Sequence, residues 1–358
     1  MKDNSTTPSP ALALRPARGL TYQAGALLLS FLFLTVIILL AGESPFRVVS
    51  NLWDGAFGTP DQVARVFSTL APLVLCSSGL IYTFTAGLYN LGVEGQIVAG
   101  AIATTLVLRE FQGLLPAPAV VAAGIIAGML GGVVWGLLAG VLNIFGKISE
   151  IFAGLGLNFV AQGLAIYLIF GPWKRPGIAS MSGTEPFDES LWLGHIGQTD
   201  AAPVALVIAL IVLVLTIIVM RNTHFGLRLK AVGQNPRASF ILGVPATRLL
   251  LSSFIICGGF AGLAGGLQVV GLFHRLIPSI SSNLGFLALL VVMLISFNAL
   301  WIAPIAFFFS ALNVGSLQLP MVLRMESSLS GVIQGTLVLM ALLARGFSER
   351  AHKRAGGQ

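Results

Sequence analysis

Charged side chains are scarce in this chain. They make up 9% of its 358 residues, whereas hydrophobic residues make up 56%, and the mean hydropathy is +0.92. A soluble domain carries about 25% charged residues, so the composition excludes an ordinary soluble protein. Several apolar runs reach the roughly 20 residues that a helix needs to cross a bilayer. We therefore expect an all-α integral membrane protein.

Motifs for catalysis and for nucleotide binding are also missing. The Gly146-Lys147 pair is followed by Ile148, so the chain contains no P-loop and is not expected to bind ATP itself. No H-E-x-x-H or G-x-S-x-G motif occurs. The two cysteines, Cys76 and Cys257, fall within predicted spans, where free thiols are expected. The sequence thus predicts no enzyme, no catalytic residue, no metal and no cofactor bound by this chain.

The apolar runs and the polar breaks between them predict about ten membrane spans. The run 66–108 must hold two of them, because one helix rising about 1.5 Å per residue would be twice too long. Residues 1–19 and 346–358 are expected to be cytoplasmic tails of a single transmembrane domain at 20–345. The spans are expected near 20–41, 66–108 (two spans), 119–144, 150–170, 203–220, 249–272, 283–298, 300–318 and 330–344.

Basic residues indicate the orientation. The loop 221–248 carries five cationic side chains and no acidic one, whereas the loop 171–200 carries two cationic and four anionic side chains. Cytoplasmic loops are enriched in Lys and Arg, so we expect 221–248 and both termini in the cytoplasm and 171–200 outside. The same bias explains the net charge of +7 without a nucleic-acid partner.

The segment 87–96 combines glycines, amides and one carboxylate inside an apolar run. Glu94 is the one charged residue between Val66 and Leu108. A carboxylate in the middle of a membrane helix costs roughly 2.5 to 3.5 kcal/mol on insertion scales, so it is expected to face the protein interior or a water-filled path. The glycines around it predict a broken helix near 87–96.

Six side chains are the candidate substrate pathway. If the segment is helical, Asn90 and Glu94 lie on one face, and so do Asn158 and Gln162 in the span 150–170. Two interpretations stay open: these side chains line a path for a polar solute, or they form a buried network that only holds the break in shape. The six residues are Tyr89, Asn90, Glu94, Gln96, Asn158 and Gln162.

The basic loop 221–248 also contains apolar positions such as Leu227, and its Asn235-Pro236 pair is a helix-start signal. A short helix at the membrane surface, which presents these residues to a partner, and a loop held by anionic lipid headgroups are both consistent with this pattern. Two further stretches, 124–140 and 258–266, are rich in small residues and predict closely packed helices.

Three stretches resemble the permease subunits of bacterial ABC importers of the branched-chain amino acid, simple-sugar and nucleoside type. G-L-Y-N-L-G-V-E-G-Q at 87–96 resembles the signature G-L-F-N-I-G-V-E-G-Q of the branch that imports nucleosides. F-G-L-R-L-K-A-V-G-Q-N-P-R-A at 225–238 is similar to the family's G-x-x-L-R-A-x-G-x-N-P-x-A, and 258–267 resembles S-G-A-L-A-G-L-A-G-A. The chain departs from the family's E-V-I-x-T-x-M-L-N at 150–158, where only the ends, Glu150 and Asn158, and Leu157 match.

The resemblance implies a permease of the bacterial inner membrane that takes up nucleosides. It implies three partners: ABC ATPase subunits that bind ATP and Mg²⁺, a second homologous permease and an extracytoplasmic substrate-binding protein. A simple-sugar importer permease is the first alternative, and a proton-coupled secondary transporter that uses Glu94 is the second. The element that docks on the ATPase would contain Gly226, Arg228, Gly233, Asn235, Pro236 and Arg237.

Overall fold

The computed structural model describes residues 32–36, 38–40, 42–175, 177, 183–194, 202–295 and 298–323, and positions 331, 332, 335, 336, 339 and 343. Both predicted tails lie outside the described residues, as do most of the predicted spans 20–41 and 330–344 and part of the loop 171–200. The description of the fold therefore rests on the central part of the chain.

Every named element in this part of the chain is a helix, which confirms the all-α prediction. Short 3-10 helices occur at Glu189–Leu191 and Ala299–Trp301, and a π-helical turn occurs at Val269–Phe273. The α-helices are α1 (Pro45–Phe57), α2 (Pro60–Thr85), α3 (Val93–Phe111), α4 (Ala117–Ile144), α5 (Glu150–Phe170), α6 (Pro203–Asn222), α7 (His224–Gln234), α8 (Pro236–Ile241), α9 (Ala246–Gln268), α10 (Leu284–Leu294), α11 (Ile302–Ser316) and α12 (Gln318–Leu323).

Six helical segments are long and apolar enough to cross a membrane, and a bent pair at 32–57 would make a seventh. Four of them match the predicted spans near 119–144, 150–170, 203–220 and 249–272 to within a few residues. The predicted span 283–298 differs, because α10 has 11 residues and a helix of that length rises about 16 Å, roughly half of the hydrocarbon thickness. The count of ten and the orientation of the termini stay predictions.

The chain divides into two compact units, and the smaller one contains residues 1–55 and 315–358. Its described core is a cluster of Ile38, Val48, Leu319 and Leu323. Gly55 and Gly315 lie close together in this unit, because a Cβ at Gly55 would come within 2.6 Å of the Gly315 carbonyl oxygen.

The larger unit, residues 56–314, is organised around the contact between α4 and α9. Five buried glycines recur at every fourth position of α4, from Gly124 to Gly140, and so form one stripe along the helix. Gly132 packs directly on the backbone of Gly258 and Gly262, so a Cβ at any of these positions would collide with the other helix. Small residues let membrane helices approach this closely, which confirms the packing predicted for 124–140 and 258–266.

Candidate translocation and coupling sites

The predicted break is present between α2 and α3. Helix α2 ends at Thr85 and α3 begins at Val93, so residues 86–92 are not helical. Gly87 adopts a φ of +80°, a left-handed conformation that glycine reaches without strain. The non-helical stretch lies between a helix that is largely buried in the larger unit and the buried first turns of α3. We call residues 86–92 the break.

Asn90 and Gln96 pair with each other across the break, and both are fully buried. The Asn90 amide nitrogen donates to Gln96 Oε1 at 3.2 Å and lies 3.1 Å from the Cys257 sulfur on α9. Asn90 Oδ1 accepts from the backbone N–H of Gly92 at 3.1 Å. The pair therefore closes the break locally and joins it to α9.

Glu94 lies in the first turn of α3 and accepts hydrogen bonds from the N-terminus of α10. Its Oε2 is 2.7 Å from the backbone nitrogen of Gly285, and the carboxylate also accepts from the Ser281 hydroxyl and from the backbone N–H groups of Asn283 and Phe286. The first N–H groups of a helix have no partner within the helix. Glu94 thus acts as an N-cap that comes from another helix, 191 residues away in sequence.

This arrangement corrects the expectation that Asn90 and Glu94 share one helical face. Asn90 precedes the start of α3, so the i, i+4 relation does not hold, and the two side chains have different partners. Gly285 explains why the carboxylate can approach α10, since a Cβ there would lie 2.9 Å from the Glu94 backbone nitrogen. Sequence reasoning missed Ser281 and Gly285, although a polar, glycine-containing stretch directly before an apolar run was the available signal.

Asn158 on α5 holds both ends of the segment that leads from the break into α3. Its Oδ1 accepts from the Gly95 N–H at 2.8 Å, and its Nδ2 donates to the Leu91 carbonyl at 2.8 Å. One turn further along α5, Gln162 donates to the carbonyl of Pro278. The two residues share a face of α5, as the spacing predicts, and both bind backbone groups of neighbouring segments.

Tyr89 differs from the other five candidate pathway residues because about half of its surface is exposed. It is 47% exposed, whereas Glu94 is 8% exposed and Asn90 is fully buried. Its ring packs edge-on against Phe84 with a centroid distance of 5.1 Å. Among the six candidates, Tyr89 is therefore the one whose side chain is exposed.

The basic loop forms two short helices, α7 and α8, as the helix-start signal predicts. The Thr223 hydroxyl oxygen accepts from the Gly226 N–H at 3.3 Å, and Asn235 Oδ1 accepts from the Ala238 N–H at 3.0 Å, so each helix has a side-chain N-cap. Arg228 and Arg237 are exposed. So are four large apolar side chains that we call the apolar docking surface: Leu227, Phe240, Ile241 and Leu242.

Two glycines of the predicted docking element face the protein instead of the surface. A Cβ at Gly226 would come within 2.8 Å of Met220 Cα. A Cβ at Gly233 would collide with the Thr85 carbonyl oxygen, and one at Gly87 would come within 3.2 Å of the Gly233 carbonyl oxygen. The C-terminal end of α7 thus packs backbone against backbone on the first residues of the break.

The six long apolar helices indicate a multi-pass membrane protein. Residues 62–342 match the family described as branched-chain amino acid transport system / permease component, and the chain belongs to this family. It is therefore a permease of the ABC transporter type, that is, a transport component.

Curated relatives resemble the chain over most of its length. It is 27% identical to the nucleoside ABC transporter permease protein NupB of Lactococcus lactis subsp. cremoris over 81% of this chain and 82% of that protein. It is 26% identical to the guanosine ABC transporter permease protein NupP of Bacillus subtilis, over 85% and 87%. The glucose ABC transporter permease protein TsgB13 of Haloferax volcanii is 27% identical over 81% and 77%.

Proposed function

We propose that the chain is the membrane permease of an ATP-driven bacterial importer that takes up nucleosides. The observation that carries the proposal is the similarity to NupB and NupP over more than four fifths of the chain. The sequence 87–96, which resembles the nucleoside-branch signature, supports it, and this segment covers most of the break and the first turn of α3. A permease for simple sugars is the second candidate, because TsgB13 is 27% identical to the chain.

For the substrate path, we propose that Tyr89 meets the solute and that the polar residues around it shape the wall. A tyrosine ring offers an apolar face with a polar tip, which suits a nucleoside base, and Tyr89 is 47% exposed. Asn90, Gln96, Asn158 and Gln162 each hydrogen-bond within the chain. They would act on the solute through the shape of the break instead of by direct contact.

For coupling, the proposed partner of α7 and α8 is an ABC ATPase subunit that carries ATP and Mg²⁺. The apolar docking surface supports this, because it exposes four large apolar side chains beside Arg228 and Arg237. The contact of Gly233 with Thr85 and Gly87 supports a route by which movement of α7 reaches the break.

Exposed surfaces of the described residues support the remaining proposed partners. Helices α4 and α5 are mostly exposed, because 28% and 22% of the residues in their apolar stretches are buried within the chain. Lipid or a second homologous permease would therefore cover them. We place the chain in the bacterial inner membrane with 221–248 in the cytoplasm. The binding protein would then dock outside, where the loop at 183–194 exposes Glu185, Asp188 and Glu189.

A proton-coupled secondary transporter is the less favoured alternative. Such a carrier would need a carboxylate that exchanges protons with the path, and Glu94 was the candidate for this role. Its carboxylate is 8% exposed and accepts hydrogen bonds from the α10 N-terminus. These contacts support a structural role for Glu94 and leave the ATP-driven mechanism as the proposal.

Uptake of labelled uridine and guanosine by the complete transporter in proteoliposomes tests the proposal. We expect uptake that needs ATP, competes with excess nucleoside and persists when a protonophore collapses the proton gradient. Competition by glucose or ribose but not by nucleosides would show that the substrate class is wrong. Uptake without ATP that the protonophore abolishes would show that the mechanism is wrong.

A further inference from the structure

Gln268 is the last residue of α9, and its side-chain amide has no hydrogen-bond partner in the part of the chain that the structure describes. The side chain is 2% exposed, and both Oε1 and Nε2 are buried and unpaired. An amide that gives up its bonds to water without replacing them destabilises the state in which it is buried. Such a group indicates that a partner is missing from this conformation.

A small, partly open cavity of about 10 Å³, with room for roughly one water molecule, adjoins this side chain. Gln268 and Ser68 contribute polar groups to walls that are otherwise apolar. Neither amide atom of Gln268 is accessible to solvent, so the cavity must widen before a molecule can reach them. Besides Gln268, the walls include Ser68, Pro72, Ala202, Ala205 and Leu267.

Two helix irregularities meet at this cavity. Pro72 lies inside α2 and has no N–H to donate to the carbonyl of Ser68, four residues earlier. Directly after Gln268, the chain leaves α-helical geometry for the π-turn Val269–Phe273. Prolines and π-turns are the positions at which helices bend. The walls of the cavity therefore lie where α2 and the end of α9 deform most readily.

We propose that Gln268 is a gated polar site: it is unpaired in the conformation described, and it binds a neutral hydrogen-bonding group when α2, α6 and the π-turn move apart. The group is a water or a hydroxyl or amide of the transported solute, because a carboxamide offers one acceptor and one donor group without charge. In an open state that binds such a group, the Gln268 amide would regain the hydrogen bonds that it lacks in the conformation described, and this would stabilise the open state. The conformational cycle in this proposal rests on the proposed function.

Thermal unfolding of the purified chain tests the unpaired amide independently of any substrate. Gln268→Met keeps the length of the side chain and removes both amide atoms, so we expect a rise in Tm of about 3 °C or more. Gln112→Met is the matched control at an exposed position, where we expect no rise. An unchanged or lower Tm in Gln268→Met would overturn the proposal, because the amide would then already be paired.

Uptake and thiol labelling of the complete transporter test whether the cavity beside Gln268 opens. Gln268→Met should lower uptake by about fivefold or more, since it stabilises the closed state. In Ala205→Cys, a hydrophilic thiol reagent should label the cavity wall during ATP turnover and not at rest, whereas Ala209→Cys, one turn along α6 and fully buried, should stay unlabelled. Protection of Ala205→Cys by saturating uridine would identify the solute as the bound group, and labelling without protection would identify water.

Two results would overturn the proposal that the cavity opens: full uptake by Gln268→Met despite its higher Tm, or no labelling of Ala205→Cys in any state. Wild-type uptake is measured in the same preparation. If wild-type transporter takes up no nucleoside, the proposed function fails, whereas the Tm comparison between Gln268→Met and Gln112→Met still decides whether the amide is unpaired. Labelling of the wild-type chain, whose Cys76 and Cys257 are buried, sets the background.

Discussion

The contact between Glu94 and α10 gives the most decisive prediction. The backbone donors of the first turn of α10 can be assigned one by one. The Leu284 N–H donates to the Ser281 carbonyl and the Leu287 N–H to the Asn283 carbonyl. The N–H groups of Gly285 and Phe286 donate to the Glu94 carboxylate. Removal of this side chain takes away the acceptor of both donors.

The expected size follows from these contacts. Hydrogen bonds to a charged group contribute about 1.5–3 kcal/mol, and loss of an N-cap costs about 0.5–2 kcal/mol. Glu94→Ala removes the whole acceptor, so we expect a loss of about 2–4 kcal/mol in the free energy of unfolding and a fall in Tm of about 5 °C or more. Glu94→Gln keeps one acceptor oxygen at the same reach and should lose less than half as much.

The comparison of the two variants separates a positioning role from contact with the substrate. If Glu94 positions α10, uptake should fall together with Tm in Glu94→Ala and recover largely in Glu94→Gln. Glu110→Gln is the matched control, because Glu110 is exposed at the other end of α3. A Glu94→Ala protein as stable as the wild type would refute the capping role. Loss of uptake in Glu94→Gln at unchanged Tm would show that the carboxylate meets the substrate.

Four further changes test the other contacts. Gly262→Ala places a Cβ against the α4 backbone and should lower the free energy of unfolding by about 1–3 kcal/mol. The control Gly163→Ala, which has open space around it, should lower it by less than about 0.5 kcal/mol. Equal Tm values for the two variants would refute the tight contact. Asn158→Ala should lower Tm and uptake together, because it leaves the Gly95 N–H and the Leu91 carbonyl unpaired. Phe240→Ser should abolish transport-stimulated ATP hydrolysis at an unchanged Tm, because the ring is 74% exposed. Gly233→Ala should leave assembly with the ATPase intact and lower the solute transported per ATP; normal coupling would contradict the route through the break.

The long helices could be predicted from the sequence because each long apolar run, when helical, is about as long as the hydrocarbon core of a bilayer is thick. This rule failed at 283–298, where apolar composition continues beyond the helix. Asn298 accepts a hydrogen bond from the Leu300 N–H and begins a new helical turn, which composition does not record. A hydropathy pattern reports burial in apolar surroundings and cannot separate a full span from an 11-residue helix inside the protein.

The sequence indicated the polar residues of 87–96 but not how they are arranged. Asn90 and Gln96 pair with each other, whereas Glu94 binds α10, and the start of α3 decides which of these side chains share a face. Asn90 Oδ1 accepts from the Gly92 N–H two residues later, a local bond that competes with helix formation. The Asn-x-Gly pattern was visible in the sequence. The partners of Glu94 and Asn158 were not, because they depend on how distant helices pack.

The break and the first turn of α3 together form the segment at which the contacts of three separate elements converge. Gly233 of α7 packs on the backbone of Thr85 and Gly87. Asn158 of α5 hydrogen-bonds to the Leu91 carbonyl and to the Gly95 N–H. Between these two residues, Glu94 accepts hydrogen bonds from α10. Glycine-to-backbone contacts contain no flexible side chain, so a displacement of α7 cannot be absorbed by a rotamer change at that interface. A shift of α7 by an ATPase would therefore have to move the break or separate from it. Because α5 and α10 are tied to the same segment by hydrogen bonds of 2.7–2.8 Å, the first of these outcomes moves both helices together, which is what a change of access to one path requires.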